Sequence, residues 1–433
     1  MDENTELILA QIHEYYCAKG LKKDTTNLFG FTKTQNVQSL EEIGRDELFR
    51  HLLGDSCKHH GHNGIITRPS KKATILVVGN HSAGKSSFIN WYCGDNIQST
   101  GIAIETSHFT MITHGEKENE LRSEGTMTMY PFLREIMNRS DKKVFGTFFS
   151  NLNTKISSKN DNLFQYVDFI DTPGLTDGLV KYNCDIIEMI KWISEYVDMI
   201  LIFLDPVGQA LCAKTMEIIT FLYAKHREKF QICLSKIDQV VEERDFLRLN
   251  QQIHSSISQY SQETNIEIIP FTIRPDSKTN TRNKIDIIKE SIEKACKYKA
   301  LRNIDVLTHD CHFILNHADY LLSLHNLAKN RSFQYTVFKY FLIILAMILI
   351  LFFVNNQLVQ GFMLETQGNG ILQGMDTSLL GGVMVCIMGI WVLHKKKYFA
   401  LTTTQISRIE IWRNYCLEAL EKTQKLTLEY YTG

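Results

Sequence analysis

The chain has 433 residues, 22% of them charged and 44% hydrophobic, which is ordinary for folded protein and leaves ample length for a large core. A formal net charge of -1 excludes a global field that would draw the chain to nucleic acid or to anionic lipid, so no nucleic-acid partner is expected. The 10 cysteines are scattered and form no C-x-x-C pair, which favours reduced thiols in the cytosol over a disulfide framework. Met1 to Glu6 are acidic, where a secretory signal needs a basic start and an apolar run, so no signal is expected.

Residues 1–70 read as an N-terminal helical segment. Ile8, Ile12 and Tyr15 recur at helical spacing, and Leu40 to Leu53 is a second candidate helix. The run Cys57-Lys58-His59-His60-Gly61-His62 has metal-ligand residue types, but structural zinc sites show spaced ligand pairs, and a solvated loop is the better reading. Arg68-Pro69-Ser70-Lys71-Lys72 marks a boundary.

From 71 to 300 short β-rich runs alternate with helical stretches. The runs are Ala73–Val78, Phe109–Thr113, Tyr166–Ile170, Met199–Leu204, Ile232–Leu234 and Glu267–Phe271. Such alternation predicts an α/β fold with a doubly wound parallel sheet and at most one antiparallel edge strand. The first run leads into Gly79-Asn80-His81-Ser82-Ala83-Gly84-Lys85-Ser86-Ser87, then into an apolar helix start. Strand, glycine-bounded loop and helix is the context of a phosphate-binding loop. Gly79 and Gly84 let successive N–H groups turn inward, the helix N-terminus adds partial positive charge, Lys85 reaches the β- and γ-phosphates, and the Ser86 hydroxyl ligates Mg²⁺.

Three further pieces follow. Tyr166–Ile170 ends in Asp171-Thr172-Pro173-Gly174, where Asp171 can reach Mg²⁺ through water and Gly174 lets its N–H approach a γ-phosphate. Gln231–Leu234 ends in Ser235-Lys236-Ile237-Asp238, where Asp238 can accept two hydrogen bonds from a guanine edge and the Lys236 stem can lie along the ring. Thr106, between the phosphate loop and Asp171, is a candidate Mg²⁺ ligand; Thr100 and Thr110 compete with it, and a plain turn threonine is the alternative.

The set GNHSAGKSS, Thr106, DTPG and SKID resembles the dynamin superfamily of large GTPases over about residues 71–300. Thr106 to Gly115 and Phe203-Leu204-Asp205 are most similar to the EH-domain ATPases and sarcalumenin. The resemblance implies GTP and Mg²⁺ as ligands. It implies a catalytic set of Lys85, Ser82, Thr106 and His81, a nucleotide cradle from Gly79 to Ser87 with Asp171, Gly174, Ser235, Lys236 and Asp238, and metal ligation by Ser86, Thr106 and Asp171. Two positions depart from the pattern. His81 stands where dynamins carry a Gln that arranges the attacking water, and Ser235 stands where Asn or Thr usually begins the base-reading motif. Because the EH-domain relatives use ATP, Ser235 leaves ATP open beside GTP.

Beyond 300 the pattern turns helical. Ile304, Leu307, Cys311, Ile314, Ala318 and Leu321 form a heptad-like seam in a stalk segment, 301–334, that needs another helix. Residues 335–394 read as a hairpin of two membrane spans. Tyr340–Val354 carries no charge, and with Tyr335 to Lys339 added the run is about 20 residues, enough to span a bilayer with Lys339 snorkelling; Ser378–Leu393 gives about 16, short enough to suit a thin membrane. A pair of buried core helices is the alternative. Lys329, Arg331, Lys339 and Lys395 to Lys397 flank the hairpin, while the connector has no Lys or Arg, so both termini are expected in the cytosol. The endoplasmic reticulum and the mitochondrial outer membrane both suit that layout. Residues 395–433 read as an amphipathic helical tail with Ile409, Trp412, Cys416 and Leu420 on one face.

The resemblance, with a layout like that of atlastins and mitofusins, implies a membrane-anchored GTPase. It would self-associate through its heads when nucleotide is bound and would drive fusion, tethering or tubulation. The competing expectations are a slowly hydrolysing membrane-anchored nucleotide switch, favoured by His81, and an ATP-using membrane scaffold, favoured by Ser235.

Overall fold

The computed structural model describes residues 3–17, 39–46, 49, 66–100, 108–133, 148, 152–176, 185–206, 212–240, 242–261, 267–274, 282–363, 372–395 and 401–432. Thr106 and the Cys57–His62 run lie outside them. The described residues form two compact units: Met1–His309 with Glu421–Gly433, and Asp310–Leu420.

The first unit is built on an eight-stranded sheet. Its strands are β1 (Ala73–Gly79), β2 (Thr110–His114), β3 (Asn119–Arg122), β4 (Asn153–Ser157), β5 (Val167–Asp171), β6 (Met199–Leu204), β7 (Phe230–Leu234) and β8 (Ile268–Pro270). They lie in the order β3-β4-β2-β5-β1-β6-β7-β8. All seven residues of β1 are buried, as expected for a central strand covered on both faces. Period-two alternation divides it. Ile75 and Val77 pack with Phe88, Tyr92 and Phe169 on one face, and Leu76 and Val78 pack with Ile190, Ile193 and Ile219 on the other.

The helices of this unit are α1 (Glu3–Cys17), α2 (Leu40–Arg45), α3 (Lys85–Cys93), α4 (Ser123–Met129), α5 (Ile186–Ile193), α6 (Ala213–His226), α7 (Glu243–Ser261) and α8 (Ile285–Lys297). α1 buries Ile8, Leu9, Ile12 and Tyr16; Ile8 and Ile12 lie on the expected stripe, whereas Tyr15 is only half-buried and Tyr16 takes the buried place.

The sheet differs from the expected one. β2 runs antiparallel to β5 in the interior, in the register Thr110↔Asp171 to Thr113↔Asp168, and β3 runs antiparallel to β4 at the edge. β3 and β4 are the strands the sequence hides. Asn119–Arg122 has no apolar alternation and is almost wholly exposed, so no period-two signal exists to read.

At the amino end of β6 sits a buried charge cluster. The Asp198 carboxylate accepts from Thr74 N–H at 2.7 Å, Lys299 Nζ at 2.7 Å and an Arg302 guanidinium nitrogen at 3.0 Å.

Among the described residues three long helices follow: α9 (Lys299–Met363), α10 (Leu372–Lys395) and α11 (Thr403–Thr432). In the second unit Cys311, Ile314, Ala318 and Leu321 of α9 are buried, as are Ile409, Trp412 and Cys416 of α11, while Leu420 is half-buried. Cross-contacts there include an Asp319–Arg413 ion pair at 3.4 Å and a Leu401 N–H donated to His325 Nδ1 at 3.1 Å.

The two-span hairpin does not stand. Among the described residues one helix, within Lys299–Asn355, is long and apolar enough to cross a membrane. Its apolar part exposes Phe341, Ile344, Ile348, Leu351 and Phe352. In α10 the described apolar stretch is the shorter Gly381–Leu393. The reason is length: a hydrocarbon core needs about 20 apolar residues, and the second run met that requirement only by assuming a thin bilayer. The expectation that both termini face the cytosol needed two crossings and falls with the hairpin, and the choice of organelle loses its basis with it.

Candidate functional site

β1 delivers the chain into the loop 80–84 and α3 takes it away. Gly84 caps α3 in the left-handed region at φ 82°, which favours glycine. Ser82 also adopts a left-handed φ of 59°, as does Lys236 at 54°. Both lie in loops expected to hold nucleotide, where backbone strain tends to collect. The Ser82 Oγ and His81 Nδ1 are 2.9 Å apart, so the imidazole and the hydroxyl are engaged with each other.

Lys85 is buried, and its Nζ donates to Gly79 O at 3.1 Å and Asn80 O at 3.0 Å. Burial pushes it down to about 8, against the pull of the Asp171 charge. The Asn80 side chain is fixed from α6, with its Oδ1 accepting from the Thr215 hydroxyl and, at 3.6 Å, from Cys212 Sγ.

Asp171, the last residue of β5, lies beside the first turn of α3. Its Oδ2 accepts from Ser86 Oγ at 2.8 Å and from Gln98 Nε2 at 2.8 Å. Its Oδ1 is buried and has no hydrogen-bond partner among the described residues. Burial pushes the carboxyl above the usual carboxylate range, opposed first by Lys85 and then by the Ser86 and Gln98 hydrogen bonds. A serine hydroxyl beside a carboxylate oxygen with spare capacity is a donor set that suits Mg²⁺, which takes one or two protein oxygens and fills the rest with phosphate and water. Among the described residues no group of three His, Cys, Asp or Glu side chains is placed to hold a metal without such help.

The loop after β5 is joined to the phosphate loop by backbone. Leu175 N–H donates to Gly79 O at 3.1 Å, and His81 N–H donates to Leu175 O at 3.2 Å. A Cβ on Gly174 would stand 2.7 Å from His81 Cα, so only glycine permits this approach.

Ser235, Lys236 and Asp238 follow β7. The Ser235 hydroxyl donates to Leu204 O at 3.0 Å, and Lys236 pairs with Asp205 at 2.9 Å. Thr272 Oγ1 donates to Asp238 Oδ1 at 2.6 Å. These residues wall a cavity of about 620 Å³ that Gly84, Ser87 and Thr100 also line. Phosphate loop, carboxylate and base loop thus open onto the carboxyl ends of neighbouring strands, where α/β sheets bind ligands.

Of the three threonines weighed for the metal, Thr106 is outside the described residues, Thr100 lines the cavity, and Thr110 is buried in β2 opposite Asp171. Sequence reasoning missed Gln98, Thr272 and the pairing of Asp205 with Lys236. A polar residue on a loop gives no local signal of a contact that the sheet topology creates.

The pH behaviour of Lys85 gives a direct expectation. A triphosphate favours the charged lysine, so above about pH 8 binding must take up a proton, and affinity must fall as pH rises. Calorimetry at about pH 9, in buffers of different ionisation enthalpy, should show uptake approaching one proton per nucleotide.

Residues 75–260 match the model of the Dynamin family. EH domain-containing protein 2 of Rattus norvegicus is 27% identical over 186 residues, covering 41% of this chain and 32% of that protein. EH domain-containing protein 3 of Homo sapiens is 25% identical over 177 residues, covering 39% of this chain and 31% of that protein. The chain therefore spans about a third of the length of the curated relatives it matches. Among solved structures, a member of an oligomerised bacterial dynamin pair aligns with a TM-score of 0.38 at 14% identity, over 99% of this chain and 72% of that one. Era of Aquifex aeolicus bound to GDP.AlF4- aligns with a TM-score of 0.29 at 16% identity, over 52% of this chain and 57% of that one.

Proposed function

We propose that the chain is a membrane-associated nucleotide switch that binds a guanine nucleoside triphosphate with Mg²⁺ and hydrolyses it slowly. The observation that carries the reading is the Ser86–Asp171 pair, 2.8 Å apart, with Asp171 Oδ1 left without a hydrogen-bond partner among the described residues and the buried Lys85 charge acting on the same carboxyl. Bound Mg²⁺ would neutralise charge on the β- and γ-phosphate oxygens. Lys85 supplies a fixed cation in a buried site, where it acts far more strongly than in water. Asp238 supports guanine because a carboxylate only accepts, and the guanine edge presents two donors where adenine presents a donor and an acceptor.

Slow turnover is supported by His81. Its Nδ1 is engaged with Ser82, so the ring is not positioned as a long amide would be to orient water. His81→Gln should therefore raise turnover by at least about tenfold with little change in nucleotide affinity, read from phosphate release and equilibrium titration. An unchanged rate would remove His81 as the brake.

The exposed apolar face of α9 supports association with a lipid bilayer. Self-association of heads in the triphosphate state is part of the same proposal. The deciding experiment uses the full-length chain in detergent and in liposomes. The switch reading expects tighter binding of GTP than of ATP, slow phosphate release, and liposomes that neither fuse nor tubulate. Preference for ATP would support the scaffold reading, and rapid turnover with fusion would support the remodelling one.

A further inference from the structure

A second cavity, of about 380 Å³, opens at the other end of the sheet, beside the amino ends of β6 and β7 and the junction of α8 with α9. Its wall carries Lys229, Lys294, Lys299 and Arg302 against Asp198 and Glu228, an excess of two positive charges. The excess is not neutralised locally. Asp198 is already shared by Lys299 and Arg302, and Glu228 is exposed to solvent. Burial, and after it the Arg302 charge, pushes Lys229 down to about 8.

The cavity also presents unused hydrogen-bonding capacity. Lys229 Nζ has three N–H bonds and donates to two carbonyls, Ser194 O and Val197 O, both at 2.8 Å. One donor remains. Gln231 is fixed by its Nε2 donating to Ser291 Oγ at 2.8 Å, while the Ser291 hydroxyl donates onward to Ile287 O. With the Ser291 proton given to Ile287 O, the Gln231 amide meets that hydroxyl through Nε2, and its buried Oε1 has no partner among the described residues. Arg302 keeps part of its guanidinium exposed, and Lys294 is exposed at the wall.

We propose that this cavity is a binding site for a phosphorylated polyol. The phosphate groups would lie against Lys229, Lys294 and Arg302, and a hydroxyl would donate to Gln231 Oε1. The pairing of anion with hydroxyl follows from the wall itself, which offers surplus cations and one unsatisfied acceptor. A simple inorganic anion meets only the first. Because Arg302 sits in the first turns of α9 and is shared with Asp198, ligand at this cavity competes for a contact that fastens that helix to β6.

The test is calorimetric titration of the full-length chain in detergent with inositol trisphosphate, against sodium sulfate as a charge control. The expected result is one trisphosphate per chain, with sulfate at the same concentration giving no comparable heat. Binding should survive Lys85→Ala, which removes the cation of the phosphate loop, and should weaken roughly tenfold in Lys294→Glu and in Gln231→Leu. A second arm titrates phosphatidylinositol bisphosphate in the same micelles. Tighter binding of the lipid identifies a membrane headgroup as the source, and equal binding identifies a free metabolite. The proposal is overturned if there is no binding, if sulfate matches it, if Lys85→Ala abolishes it, or if neither cavity variant changes it.

Discussion

Lys85→Ala is expected to lower triphosphate affinity and turnover by about three orders of magnitude while leaving the fold intact. The lysine is buried at the start of α3, and its charge is costly there, since burial pulls it down to about 8. A buried charge that stability alone would discard is what the proposed contact with a triphosphate accounts for. Alanine suits a helix start, so the loss falls on binding. It also reaches the Ser86–Asp171 pair proposed to hold Mg²⁺, because Lys85 is the leading opposition to the upward shift of Asp171. Without that charge the carboxyl gains a proton more readily and offers Mg²⁺ less. Nucleotide titration and phosphate release check the loss, and thermal unfolding checks the fold. Retained hydrolysis in the variant would refute the assignment of the loop.

Asp198→Ala should destabilise the chain by about 3–5 kcal/mol, because it strands the buried Lys299 charge and removes the acceptor of Thr74 N–H. The Lys299 and Asp198 side chains are only 6% and 4% exposed, so water cannot replace the missing partner. Burial alone would raise the Asp198 carboxyl. Lys299, the Thr74 N–H and Arg302 outweigh it and hold the group below the usual carboxylate range. The stability it contributes is therefore present above its unfolded value and is lost as pH falls through the depressed folded value. Urea unfolding of the detergent-solubilised chain at neutral and acid pH measures both effects. A midpoint that stays put at neutral pH would show the cluster to be dispensable.

How much of this was legible depends on the kind of signal. β1, β5, β6 and β7 were readable because each is a short apolar run ending in a motif, and burial on both faces produces such runs. β2 was found one residue out of place, but its antiparallel pairing with β5 was not, since strand direction leaves no trace in composition. β3 and β4 were invisible for want of alternation. At the candidate site the loops could be located by their glycines and carboxylates. The contacts that hold those groups could not: Gln98 on Asp171, Thr272 on Asp238 and Cys212 on Asn80 join segments far apart in the chain. The second membrane span was overread because its shortness was answered by assuming a thin membrane instead of being counted against it.

The exchange of backbone hydrogen bonds between Gly79, His81 and Leu175 has a consequence for motion. Neither loop can peel away alone, since each holds an amide proton of the other. Deuterium should therefore enter the His81 and Leu175 amides in step, and a ligand that clamps one loop should slow both together. The pair would act as a built-in, label-free gauge of the nucleotide state, readable at two backbone positions without altering a side chain.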